Sequence, residues 1–135
     1  MDDAGIADVL RDARRVAVVG ASPNPVRPSN GVMRALLVAG YDCVPVNPNA
    51  REVLGRPCFA TVGAAVDATG PVDIVDVFRR PSATPEVARA AVAVGAKVLW
   101  LQLGVVSWDA ARIAHEGGLA VVMDRCTAIE LRRVR

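Results

Sequence analysis

Arg15-Val16-Ala17-Val18-Val19-Gly20-Ala21-Ser22 is the stretch whose reading decides the fold. The run to Val19 is a continuous apolar strand that stops at Gly20. A helix then runs through Met33, Leu36 and Leu37, with Ser29 expected as its N-cap and Gly40 as a left-handed C-cap. A short apolar run without alternation reads as a strand covered on both faces, and a helix directly after it makes one strand–turn–helix unit.

Working outward, the unit repeats. Tyr41 to Val46 is the second strand, cut off by Asn47-Pro48-Asn49, and Val72 to Phe78 is the third, stopped by Arg79-Arg80-Pro81. Lys97 to Leu103 is the fourth, followed by Gly104, and Leu119 to Met123 the fifth, entered through Gly117-Gly118. Helical spacing at positions 6, 9, 10 and 13 marks a lead-in helix. Thr84 with Pro85 starts another helix and Gly95 closes it. Ser107 caps a helix over 108–116, and Thr127-Ala128-Ile129-Glu130 reads as a capping box for a short final one. Between 50 and 71 the expectation is a brief extended piece near Cys58-Phe59 and a short helix capped by Thr61. Strands alternating with helices imply right-handed crossovers and a parallel sheet. The expected class is α/β, a Rossmann-like doubly wound five-stranded parallel sheet of order 3-2-1-4-5 with helices on both faces, and a flavodoxin-like order is the competing topology.

At 135 residues, a single domain spanning 1–135 is expected. Aromatics make up 4% of the chain, so the core has to be aliphatic. The net charge of +2 is too small to argue for nucleic-acid binding, so any preference for anions has to come from local placement of charge. Lys97 is the only lysine, and the other cations are arginines, which suit bidentate phosphate contacts. Cys43, Cys58 and Cys126 follow no zinc spacing, and no metal site is expected. The acidic start Met1-Asp2-Asp3 is unlike a signal peptide and no stretch is long enough to span a membrane, so a cytoplasmic location is expected.

In an open parallel sheet, ligands lie beyond the carboxyl ends of the strands where the order reverses. The tip at 20–31 is the richest: Gly20 permits close backbone approach, Ser22 and Ser29 carry hydroxyls, Arg27 can pair with an anion, and the following helix start favours phosphate. The dinucleotide fingerprint is absent, since Ser22 and Pro25 stand where its later glycines would be. The second strand ends on Asn47 rather than on an acid for a ribose diol, which argues against NAD and would tolerate a phosphorylated ribose. Arg27, Arg79, Arg80 and Arg125 all fall at strand ends, while Gln102 at the fourth end is suited either to bonding a ligand amide or to satisfying backbone. Cys126 precedes a helix start, a position that can activate a thiol, although a small buried residue is the plainer reading. His115 falls on a helix away from the tips. With no second histidine, no nucleophilic triad is expected and no catalytic residue is assigned.

Val18 to Ser29, Val46-Asn47-Pro48, Trp100 to Val105 and Met123-Asp124-Arg125-Cys126 together resemble the CoA-binding domain proteins of bacteria and archaea, which are similar to the nucleotide-binding domain of the succinyl-CoA synthetase α subunit. The resemblance implies coenzyme A as cofactor. Gly20, Ala21, Ser22, Arg27 and Ser29 would hold phosphates, and Asn47 and Pro48 would border the adenosine. Phe78 and Arg79 would line the third edge, and Gln102, Leu103 and Gly104 the fourth. It implies binding rather than a reaction: a non-catalytic binding, carrier or regulatory module. The alternatives are an enzyme or redox protein acting on the CoA thiol or an acyl-CoA through Cys126, and an NAD-type nucleotide binder. A homodimer or a synthetase-like partner subunit are the protein partners left open.

Overall fold

The computed structural model describes residues 1–134; Arg135, the last residue of the expected domain, lies outside the described residues. In chain order the elements are α1 (Asp3–Asp12), β1 (Arg15–Val19), α2 (Pro28–Val38), β2 (Asp42–Val46), β3 (Glu52–Val53), β4 (Arg56–Pro57), α3 (Val62–Thr69), β5 (Ile74–Val77), α4 (Thr84–Ala93), β6 (Val98–Leu101), α5 (Trp108–Glu116), β7 (Ala120–Val122) and α6 (Thr127–Arg133). A 3₁₀ turn, Pro81–Ala83, leads into α4. All five apolar runs form strands of one parallel sheet, ordered β2-β1-β5-β6-β7.

The α/β, Rossmann-like class holds, but the expected order 3-2-1-4-5 does not. The third apolar run, β5, pairs with β1 on the side opposite β2, so the five main strands run 2-1-3-4-5. Every residue of β5 is buried and both its edges are hydrogen-bonded, to β1 and to β6. That is the environment an unbroken apolar run requires. The outer flank of β2, where a third Rossmann strand would lie, is taken by a single parallel bridge from Phe59 to Val46 and by the small antiparallel pair β3–β4. Pro57 has no N–H to extend a ladder there.

Successive side chains of each strand point to opposite faces, which gives two cores. One face packs Val16, Val18, Ile74 and Trp100 beneath α1, α2 and α6, through Ile6, Leu10, Met33, Leu36 and Leu131. The other packs Ala17, Val19, Val75, Val77 and Leu99 against α3, α4 and α5, where Ala65, Ala88, Ala91, Ala110 and Ala114 leave the helix backbones close to the sheet. Small helix residues on this side, rather than aromatics, suit an aliphatic core. The first core is tied at its edge by the Tyr41 hydroxyl, which donates to the Leu10 carbonyl.

Several helix starts differ from expectation. Thr61 and Ser107 do cap α3 and α5, accepting from the N–H groups of Ala64 and Ala110. The N-cap of α2 is Arg27, with Pro28 opening the helix and Ser29 inside its first turn. Ala83 precedes α4, and Thr84 donates to the Pro81 carbonyl. Thr127 is the first residue of α6 rather than its cap, and its hydroxyl points into the core.

The turn leaving β1 depends on Gly20. Its φ is +85°, and a Cβ there would stand 2.4 Å from the Phe78 carbonyl oxygen. Gly20→Ala is expected to cost about 2–4 kcal/mol, combining left-handed strain with a clash against backbone. Urea denaturation checks this, and a loss under about 0.5 kcal/mol would mean the two tips can separate freely.

Candidate functional site

The direction of winding reverses between β1 and β5, so the connections that leave their carboxyl ends go to helices on opposite faces and leave a crevice above the strands. An open cleft of about 450 Å³ lies there. The tip after β1 supplies Gly20 and Ser22, and the start of α2 supplies Arg27, Pro28 and Ser29. Asn47 comes from the end of β2, Phe78 and Arg79 from β5, and Gln102, Leu103 and Val105 from beyond β6.

Local hydrogen bonds hold this rim. The Ser22 N–H donates to Ser29 Oγ at 3.1 Å, and Asn30 Nδ2 donates to the Ser22 carbonyl at 3.0 Å. Asn47 Nδ2 donates to the Ala21 carbonyl at 2.7 Å, and Asn47 Oδ1 accepts from the Asn49 N–H at 2.9 Å. Asn24 stiffens the outer loop, its side chain accepting from the Val26 N–H and its carbonyl from Arg27 N–H. The loop is therefore a set of interlocked Asx- and Ser-type turns rather than a slack connection.

Nine of the twelve expected site residues line this cleft: Gly20, Ser22, Arg27, Ser29, Asn47, Phe78, Arg79, Gln102 and Leu103. Three do not. Ala21 is fully buried and contributes its carbonyl to Asn47. Gly104 lies outside, its N–H donating to Asp124 Oδ1, and Val105 takes its place. Pro48 lines a second cleft of about 260 Å³, walled by Val46, Val62, Val87 and Ala90 and edged by Glu86. Arg79 borders both clefts.

The four strand-end arginines divide evenly. Arg27 and Arg79 line the first cleft, and their guanidinium groups form no hydrogen bond or ion pair among the described residues. Arg80 turns to Ser82 at 3.2 Å, and Arg125 is paired with Asp3 at 3.2 Å and Glu130 at 3.3 Å. No carboxylate lines the first cleft, and the first turn of α2 faces it. Two unneutralised guanidinium groups and a helix N-terminus thus act on the same space, an arrangement that favours an anion.

None of the thiols lines this cleft, although the Cys58 thiol donates to the Asn47 carbonyl behind its rim. Burial pushes Cys43 up to about 12 and raises Cys58, so neither offers a thiolate near neutral pH. Cys126 is half-buried at the N-cap of α6 and lines neither cleft, and His115 is exposed on α5.

One group beneath the cleft escapes sequence reading. Asp76 has no exposed surface. Its Oδ1 accepts from Gln102 Nε2 at 2.5 Å and its Oδ2 from the Thr127 hydroxyl at 3.0 Å, while Gln102 Nε2 also donates to Thr127 at 2.9 Å. A lone acid inside the apolar run Ile74-Val75-Asp76-Val77 was the available signal, since period two places Gln102 on the same face of the adjacent strand.

With this geometry in view, the relatives are informative. The model of the family described as CoA binding domain matches residues 14–132. The chain belongs to the CoA-binding domain family. The uncharacterized protein YneT of Bacillus subtilis (strain 168) is 40% identical over 126 residues, covering 93% of this chain and 91% of YneT. A hypothetical protein from Pyrococcus horikoshii OT3 shares the fold at a TM-score of 0.94 and 40% identity, over 99% of this chain and 92% of that one. A Thermus thermophilus protein, cell-free ID.343, does so at 0.91 and 36% identity over 100% of both chains. No helix of this CoA-binding domain is, among the described residues, long and apolar enough to cross a membrane.

Burial pushes Asp76 up to about 7, against hydrogen bonds from Gln102 and Thr127 that pull it down. The folded state therefore holds this proton more tightly than the unfolded chain. The stability so gained is complete below about pH 4 and is lost as the pH rises to about 7, roughly 2–4 kcal/mol in all. Asp76→Asn removes the titration. Its stability relative to the wild type is expected to rise between about pH 5 and pH 8, and urea denaturation of both proteins across that range checks it. Parallel pH profiles would mean that Asp76 keeps an ordinary carboxylate pKa.

Proposed function

We propose that this protein binds coenzyme A, free or acylated, across the carboxyl-end rim of its sheet and serves as a non-catalytic binding, carrier or regulatory module. The observation that carries this reading is the placement of the Arg27 and Arg79 guanidinium groups, both without a partner among the described residues, around a cleft no carboxylate lines. A ligand with several phosphates matches that field, and membership of the CoA-binding domain family supports coenzyme A as that ligand.

The second cleft accounts for the other half of the molecule. Its walls of Val46, Pro48, Val87 and Ala90 suit a flat base, and the Glu86 carboxylate at its edge can accept from an exocyclic amine. Arg79, shared by both clefts, would then stand where the base-bearing and phosphate-bearing parts of the cofactor meet. The end of β2 carries the Asn47 amide, bonded to Ala21 and Asn49, and no carboxylate for a ribose diol. That favours a cofactor with a phosphorylated ribose over NAD.

Isothermal calorimetry with coenzyme A, dephospho-CoA and NAD tests the reading. Coenzyme A is expected to bind most tightly, with affinity falling as salt rises. Arg27→Ala and Arg79→Ala should each weaken it about 10- to 100-fold, the range for a lost charge-assisted contact. Equal binding of NAD and coenzyme A, or an unchanged affinity in both variants, would overturn it.

A further inference from the structure

Gln102 is 4% exposed, yet it lines the rim cleft. Both of its side-chain hydrogen bonds are donated by Nε2, to Asp76 and to Thr127. Its carbonyl oxygen accepts from nothing among the described residues, and no fully buried polar side-chain atom there is left unpaired. That oxygen is therefore the part of Gln102 that reaches the cleft. An almost wholly buried side chain presents one unpartnered polar atom to the space that Arg27 and Arg79 border.

We propose that Asp76 is a positioning residue that makes this cleft proton-linked: ionised, it turns the Gln102 carbonyl oxygen to the ligand, and protonated, it turns the amide N–H there, which an anionic ligand selects. The inference rests on reading the cleft as the site of an anionic cofactor. An ionised carboxylate only accepts hydrogen bonds, so it must face the amide N–H₂. When a proton from solvent binds Oδ1, that oxygen becomes a donor. The amide then satisfies it by a half-turn about its last torsion, the carbonyl oxygen facing Asp76 and Nε2 facing the cleft. Thr127 keeps its donated bond to Oδ2 in both states, and only the bond it accepts from Nε2 is given up when the amide turns. The two ends of the amide have the same shape, so the reversal needs no repacking.

Both consequences of protonation favour an anion. The donor replaces an acceptor at the cleft floor, and a buried negative charge below it is removed, at a depth where screening by water is weak. The pKa near 7 puts both states within reach at ordinary pH.

The charges around Asp76 do not compensate it. Its strand neighbours in register are Val18 on β1 and Trp100 on β6. On α6, Glu130 is turned to Arg125 and Arg133, and Arg132 is exposed. On α2, Arg34 bonds Asn30. On α1, Asp3 pairs with Arg125 and Asp8 and Asp12 with Arg11, all at the surface. Cys43 on β2, which feels the Asp76 charge, remains a thiol.

Calorimetric titration of coenzyme A into wild type and Asp76→Asn between about pH 6 and pH 8, at fixed ionic strength, tests this. Wild-type affinity is expected to rise about three- to tenfold from the alkaline to the acid end, beyond any change in the variant, where only the cofactor's own phosphate ionisation, common to both, remains. At pH 8 the variant should bind more tightly than the wild type. Near pH 7.5, wild type titrated in two buffers of different ionisation heat should show net proton uptake, and this measurement decides alone if the variant does not fold. Superimposable profiles, or no proton uptake, would overturn the inference while leaving coenzyme A binding intact. Absence of coenzyme A binding at every pH would overturn the cofactor reading and this inference with it.

Discussion

The close approach of Gly20 to the Phe78 carbonyl is the contact on which the site depends. β1 and β5 pair in parallel, the Phe78 N–H donating to Val19, and the chain leaving β1 must clear the chain leaving β5 within one residue. Only a residue without Cβ, at positive φ, passes there. The turn then aims the start of α2 across the sheet top instead of away from it. Arg27 and Arg79 face the same space because their two tips are pinned at this point.

The rim combines opposite electrostatic tendencies at two depths. Its surface layer is cationic and unneutralised, while directly beneath it Asp76 is buried with hydrogen-bond donors and no cation. A core built for stability alone would place an apolar residue there, because a buried carboxyl costs free energy unless it is protonated or fully bonded. Thr127, spent on Asp76 rather than on capping its own helix, shows the same diversion of a stabilising group toward the network. Residues that break local rules in this way are usually held by what they do for a site.

The parts of this arrangement that were legible in the sequence are those encoded by short-range pattern. The five apolar runs, the positions of their tips and the cationic residues at those tips follow from period and punctuation alone, and so does the turn at Gly20. Two things were not legible. Strand order depends on which neighbours a strand finds, and the run 72–78 carries the same apolar pattern whichever side of β1 it joins. Pairing within the site is likewise long-range: Asp76, Gln102 and Thr127 are brought together by β5, β6 and the start of α6, and Thr127 looked like a cap because its local spacing with Glu130 is that of one. The pairing of Arg125 with Asp3, 122 residues away, was hidden for the same reason, whereas Arg80 is held by its near neighbour Ser82.

The unexpected strand order and the second cleft have one cause. A full third strand beside β2 would carry its own tip to the rim and continue the sheet outward. Here that strand is reduced to the bridge from Phe59 to Val46, after which the chain turns at once through Ala60 and Thr61 into α3. The early turn leaves an opening beside Val46 and Pro48 on the side facing α4, and this opening is the second cleft. It lies beside the first because Arg79 leaves β5 between them. Shortening one edge strand thus widens a single anion-favouring crevice into a two-part groove, one part charged and one apolar, as a cofactor with phosphates and a base requires.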